Sequence, residues 1–353
     1  MYFQKLLYIF FLVLALNISF FSTNTANAKA FYIDEIKISE KLENNFNKDL
    51  LIDKGFEKAF KELMSQILRS KDINKVENVN INKIKGMIET FSIKEEKFVN
   101  NKYNLNLGVS FNKKKIFNYL DTKNIFPAQI IVEKFLFIPI IIDQSRTDLQ
   151  VFTNNPIYKY WSEDNYKKNL IEYILPAEDL EDFNLIKKNY SDIENYNFEE
   201  IIKKYFLKNS IVALFFIDKN QIKILSKINI KDKKVIRSNS FDSIDLNNPE
   251  NIKKLINDLK IIYEDFWKES NLINSSIKLT LSIKVDSKDL NLALKFEETM
   301  ENTDLISNYY INKIDKNFIF YEIIFNGTPQ NFITIMKNHK YEFDKQKKIW
   351  TLR

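Results

Sequence analysis

The run Phe135–Ile142, FLFIPIII, is continuously apolar rather than alternating. A strand with one wet face shows apolar residues at every second position, so an unbroken run implies burial on both faces, as in a sheet layered by helices. Eight residues containing Pro139 are far too few to span a bilayer, and so are the seven of Ile211–Ile217. Both segments read as buried strands. At 353 residues the chain is long enough for two or three such layered units.

Composition mostly excludes. The chain has no Cys, one His and four Gly, with 45% apolar and 14% aromatic residues. That balance is globular, not disordered. Without Cys there is no disulfide framework, thiolate nucleophile, Cys-ligated zinc or iron–sulfur cluster. One His leaves no HExxH site, and four separated glycines leave no phosphate-cradling loop. No cofactor is indicated. An excess of Lys, Asn, Ile, Phe and Tyr fits an AT-rich coding bias, which weakens composition as a functional clue.

Residues 1–30 carry Lys5, the apolar run Leu6–Leu16 and two overlapping A-x-A sites, Ala26-Asn27-Ala28 and Ala28-Lys29-Ala30. This order of parts is that of a cleavable secretory signal, so a periplasmic location without an integral membrane span is expected. Either A-x-A site fits cleavage.

Three units follow. Residues 31–125 read as β-α-α-β-β-α. A strand begins at Tyr32, a helix carries Ile52, Phe56, Phe60, Leu63 and Ile67, and a shorter helix takes in Ile81, Ile84, Met87, Ile88 and Phe91. A hairpin then turns at Asn100-Asn101, and a helix spans Lys114–Leu120. Residues 126–269 alternate strands and helices as an α/β unit. A strand pair in it turns at Lys231-Asp232, and the closing helix Pro249–Trp267 has an apolar stripe through Ile252, Leu255, Ile256, Leu259, Ile262 and Phe266. Residues 270–353 read β-α-β-β-α-β, a ferredoxin-like order, with Thr328 as N-cap and Pro329 at the first position of the last helix. The expected class is therefore α+β and α/β in three small sheet-and-helix units.

The segments FYIDEIKI, GFEKAFKELMSQIL and FSIKEEKFVNNKYNLNLGVSFNKKKIFNYL, behind a signal-like start, resemble the bacterial Domain of Unknown Function 2066 family. The likeness is best in the first unit. It implies an envelope protein of Gram-negative bacteria, and brings no catalytic residues with it.

Glu178, Asp179, Glu181 and Asp182 form the densest acidic group, directly after an apolar strand. Two such carboxylates facing a cleft could cleave a glycan or hold a divalent cation. The competing reading is the first turn of a helix begun after Pro176, where acids complement the helix dipole. His339, just after the last helix, suits its C-terminal carbonyls better than catalysis. The Lys clusters at 113–115, 203–204, 233–234 and 345–348 do not amount to a nucleic-acid surface. The net charge of +6 falls to +5 without residues 1–28, and Arg is scarce. The clusters read as solvated surface charge, with weak attraction to anionic lipid headgroups as the main other role.

The expectation is an exported, non-enzymatic binding or envelope-maintenance module that contacts another envelope protein through exposed strand edges of its first and third units. The alternative is a carboxylate-dependent hydrolase of a cell-wall glycan using the acids at 178–182. Ligand capture between the second and third units is a further class.

Overall fold

The structure, a computed structural model, describes residues 30–43, 46–143, 148–163, 170–218, 221–230, 233–242, 244–274 and 277–353. The signal-like residues 1–29 and the turn residues 231–232 lie outside the described residues. The architecture is α+β, with helices packed on three separate sheets.

The first sheet has the order β1-β3-β2, all antiparallel, from β1 (Ala30–Lys41), β2 (Ile88–Val99) and β3 (Lys102–Asn112). Helix α1 (Lys48–Ile67), capped by the Asn47 side chain, buries Leu51, Phe56, Ala59, Phe60, Leu63 and Ile67 against it. Gly55 lets α1 approach closely, since a methyl there would meet Leu107 Cδ1 at 2.5 Å. The short α2 (Ser70–Ile73) leads to α3 (Ile81–Met87), and α4 (Lys113–Asp121) follows β3. Ile88 and Phe91, expected on α3, belong to β2. Their helical spacing gives way to pairing of Ile88 with Phe111 and Phe91 with Val109. The turn residues Asn100 and Asn101 both have positive φ, 53° and 58°, and Val99 pairs with Lys102 across them. Two left-handed residues between strands make a type I′ hairpin, for which Asn is suited.

The middle sheet has the order β5-β4-β7-β8-β9, with β6 also on β4. Its strands are β4 (Glu133–Asp143), β5 (Asp148–Gln150), β6 (Ile171–Ile174), β7 (Asn209–Asp218), β8 (Gln221–Ile230) and β9 (Lys233–Asp242). Both faces are covered. On β4, Phe135, Phe137 and Ile141 join one core with α5 (Pro156–Glu163) and α8 (Pro249–Ser270). Leu136, Ile138, Ile140 and Ile142 join another with α6 (Leu180–Lys188) and α7 (Glu199–Lys203). Alternate residues of one apolar run thus serve two cores. Pro139 falls in the gap between the β6 pairing at residues 133–136 and the β5 pairing at 141–143. Asn155, fully buried, donates to the Pro139 carbonyl at 3.0 Å, which directs that proline's missing N–H toward the same gap. The α8 stripe departs from expectation after Leu259. Tyr263 and Trp267 turn inward, while Ile262 and Phe266 are only partly buried.

The third sheet has the order β11-β12-β10-β14-β13, from β10 (Leu279–Asp286), β11 (Ile306–Ile314), β12 (Phe318–Phe325), β13 (Phe343–Asp344) and β14 (Trp350–Leu352). Helices α9 (Leu290–Asn302) and α10 (Pro329–Asn338) pack on one face through Phe296, Met300, Phe332 and Met336. The β-α-β-β-α-β order appears with one addition. Strand β14 inserts between β10 and β13, parallel to β10 and antiparallel to β13. The expected single terminal strand is therefore two short ones.

The connections into and out of the middle sheet pair with each other. Ile273 N–H donates to Pro127 O at 2.8 Å, Gln129 N–H to Asn271 O at 3.0 Å, and Ala128 bridges Leu272 in antiparallel fashion. The end of α8 fastens this strap: Trp267 Nε1–H donates to Ile131 O at 2.7 Å, and Lys268 Nζ donates to the carbonyls of Ser65 and Leu68 at the C-terminal end of α1.

Candidate functional site

The acids singled out from sequence are structural in their contacts. Asp179 is the N-cap of α6 and accepts from the Glu181 and Asp182 N–H groups at 2.7 and 3.2 Å. Those two bonds, with Lys204 beside it, hold its carboxyl below the usual range. Asp182 is 1% exposed and bound to Lys204 Nζ at 2.6 Å, which pushes the lysine up to about 12. Glu178 sits 3.3 Å from the Thr153 hydroxyl, and Glu181 is exposed. Among the described residues no group of three His, Asp or Glu gathers as a metal site. His339 is the C-cap of α10.

A cleft of about 450 Å³ lies where α1 and α2 meet α8. Its floor is a buried charged stripe, Lys260, Glu264 and Lys268, one helical turn apart. Glu264 accepts from Ile171 N–H at 2.8 Å, and burial raises its carboxyl above the ordinary range despite that bond and the nearby Lys268. Burial likewise lowers Lys268. Lys260 lies 5.1 Å from the Trp161 ring and 5.9 Å from that of Tyr173. Asp265 accepts from Ser70 N–H at 2.7 Å. These charges go chiefly to holding main chain from α1, α2 and β6 onto α8.

A second cleft, about 570 Å³, separates the first and third sheets. One wall is α4, which presents Lys113, Lys114 and Phe117. The other is built by α9, the start of β11 and Asn326 at the end of β12. Pro127 and Ile273 of the strap close it below. Lys113 spans the two walls to Asp304 at 2.7 Å, with both side chains 22% exposed. Tyr309 donates to Glu301 at 3.1 Å, and its hydroxyl is pushed up to about 12, by burial first and by Glu301 second.

One atom in this cleft is anomalous. Asn326 is 7% exposed, and its Oδ1 is buried without a hydrogen-bond partner. A buried acceptor left unmade costs about 1–3 kcal/mol, and with under 1 Å² of its surface accessible this atom is shielded from the open volume of the cleft. The main-chain N–H of Asn326, by contrast, is satisfied by Leu305 O at 2.7 Å.

Sequence reasoning missed this site. Asn326 stands out there only as the residue before Gly327 that ends a strand, and Lys113 and Asp304 are 191 positions apart. The strand edges it favoured are modified in the fold. β1, β2 and β11 each carry register shifts, at Ile33/Ile36, Ile88/Thr90, Ile93/Glu95, Ile306/Asn308 and Ile311/Lys313. Bulges twist an edge away from open-ended pairing and re-aim side chains locally. Among the described residues no helix is long and apolar enough to cross a membrane. In comparisons with known proteins, no family model matches the chain and no curated protein matches it.

Proposed function

We propose that this chain is an exported, non-enzymatic binding module of the cell envelope, and that it engages a partner protein at the cleft between its first and third sheets. The observation that carries this reading is the cleft itself, a concave, partly apolar site of about 570 Å³ in which several polar and charged side chains converge, the usual setting of a binding pocket. The signal-like start and the similarity of the first segment to Domain of Unknown Function 2066 proteins support the envelope location. Of the acids behind the hydrolase alternative, Asp179 caps α6, Asp182 is bound to Lys204, Glu178 sits by the Thr153 hydroxyl and Glu181 is exposed.

A photo-crosslinking side chain placed at Asn308, an exposed residue on the rim of this cleft, tests the reading in intact cells. A specific protein adduct at Asn308, missing when the same group replaces exposed Lys253 on α8, is expected. No adduct at Asn308 would sink the proposal. Fractionation of the same cells tests the location, with periplasmic recovery of a chain shortened by 28 or 30 residues as the expected result.

A further inference from the structure

The geometry points to a second copy of this chain as the partner of the middle sheet, the two copies joining antiparallel along the free edge of β9 about a two-fold axis at Ser238. This pairing is separate from the cleft, whose lining includes no β9 residue.

Among the described residues β9 is the one sheet edge that is both long and unbroken. It runs ten residues in continuous register with β8. Edges β1, β2 and β11 are interrupted by register shifts, and β5, β6 and β13 have at most four residues. Such an edge presents a row of main-chain N–H and C=O groups to any strand that matches it. Ile236 on this edge is 63% exposed, and a strand laid beside it would cover part of that surface.

The hydrogen-bond alternation fixes which groups face outward. Ile230 pairs with Lys233 across a two-residue connection, so those two exchange main-chain bonds, and the alternation then gives residues 233, 235, 237, 239 and 241 to β8. The pairing of Asp218 with Gln221 at the other end of β8 requires the same assignment. Residues 234, 236, 238, 240 and 242 therefore point their main-chain groups away from the sheet.

Two copies of that row can meet only in registers that set even residues opposite even ones, and the side chains choose among them. With Ser238 on the axis, Lys234 faces Asp242 of the second copy, twice by symmetry, and Val235 faces Phe241. Opposite charges and an aromatic facing a β-branched residue are both favourable cross-strand pairs. Both charges are exposed and already placed, Lys234 by Glu199 at 2.7 Å and Asp242 by Gln221 at 2.8 Å. Moving the axis one residue back sets Arg237 opposite Arg237, and moving it one forward leaves Lys234 without a facing acid. Arg237 itself is directed to α8, 5.7 Å from the Phe266 ring, so in the favoured register its charge stays off the axis.

The experiment measures the mass of the full chain, as recovered from cells, by sedimentation equilibrium over a dilution series. A dimer that dissociates on dilution is expected. Ser238→Pro removes an outward N–H and none that reaches β8, so it should keep the parent's circular dichroism and weaken the dimer at least tenfold. Asp242→Lys and Lys234→Glu each set like charges opposite one another at both ends, and each should weaken it at least tenfold. Mixed in equal amounts, these two variants regain opposite charges at both ends and should pair as tightly as the parent. Because the chain has no Cys, Ser238→Cys tests the axis directly. Its two thiols would sit on residues about 5.5 Å apart and should oxidise to a covalent dimer, whereas Ser240→Cys, about 13 Å from its counterpart, should not. A monomer at high micromolar concentration overturns the inference. So does a dimer indifferent to both charge variants, or one that Ser240→Cys locks as readily as Ser238→Cys. If Ser238→Pro does not fold, the charge and thiol variants decide alone.

Discussion

Phe206 has φ of 53° and is 94% exposed. A bulky residue in the left-handed region is strained, and the side chain recovers nothing by burial. Phe206→Gly is therefore expected to raise stability by about 1 kcal/mol, read as a higher urea midpoint with unchanged slope; a lower midpoint would show a contact that the exposure denies. Glu264 makes the opposite case, a buried group whose carboxyl is raised by desolvation. The folded chain then holds the proton to higher pH than the unfolded chain, so stability falls as pH rises from the ordinary carboxylate range through the raised value. Glu264→Gln keeps an oxygen for Ile171 N–H and removes the ionisation. Its stability relative to the parent should grow between pH 4 and pH 8 in thermal melts, and a shrinking difference would contradict the assignment. Single residues were unevenly legible. Thr328 was readable as an N-cap because capping is local and residue-specific, and its side chain does accept from Asn331 N–H at 3.2 Å. Asn326, two positions earlier, was not readable as a buried residue, because its burial at the end of β12 is set by tertiary packing, which no local pattern encodes.

At the scale of elements, most of the fold was legible. The alternation through Tyr103, Leu105, Leu107, Val109 and Phe111 appears as β3 at the centre of its sheet, and the continuous FLFIPIII run as a strand shared by two cores. Misreadings cluster where one pattern serves two periods. Ile81, Ile84, Met87 and Ile88 fit a helix, yet the chain turns extended at Ile88, because the long ladder to β3 outweighs one more helical turn. The hairpin at Asn100-Asn101 shows how far local chemistry sets register. Asn101→Gly should stabilise by a few tenths of a kcal/mol and Asn101→Val should destabilise by about 1–2 kcal/mol, measured by chemical denaturation. Equal effects from both would mean that the turn is not of the I′ kind.

For the whole molecule, what could not be read was the relation between segments far apart in the chain. The lysine cluster at 113–115 looked like solvated charge, but Lys113 reaches Asp304 across the cleft. A double-mutant cycle with Lys113→Met and Asp304→Asn should give a coupling of about 0.5–1 kcal/mol that shrinks in high salt, since the pair is partly screened. Zero coupling would mean that the cleft walls are held by the strap and apolar contacts alone. That strap has a topological consequence. Because Ala128 and Leu272 face each other as antiparallel partners, the chain leaves and re-enters at nearly one point, and residues 129–271 form an insertion between two neighbouring stretches of backbone. Splicing Ala128 to Leu272 through Asn-Gly should close a tight loop and leave a miniature protein carrying the first and third sheets with the cleft between them. Excision would cost it the α8 clamp on α1, so the miniature is expected to melt earlier than the parent but still cooperatively. Two separate transitions, or loss of both sheets by circular dichroism, would show that the insertion has become the keystone of the chain that hosts it.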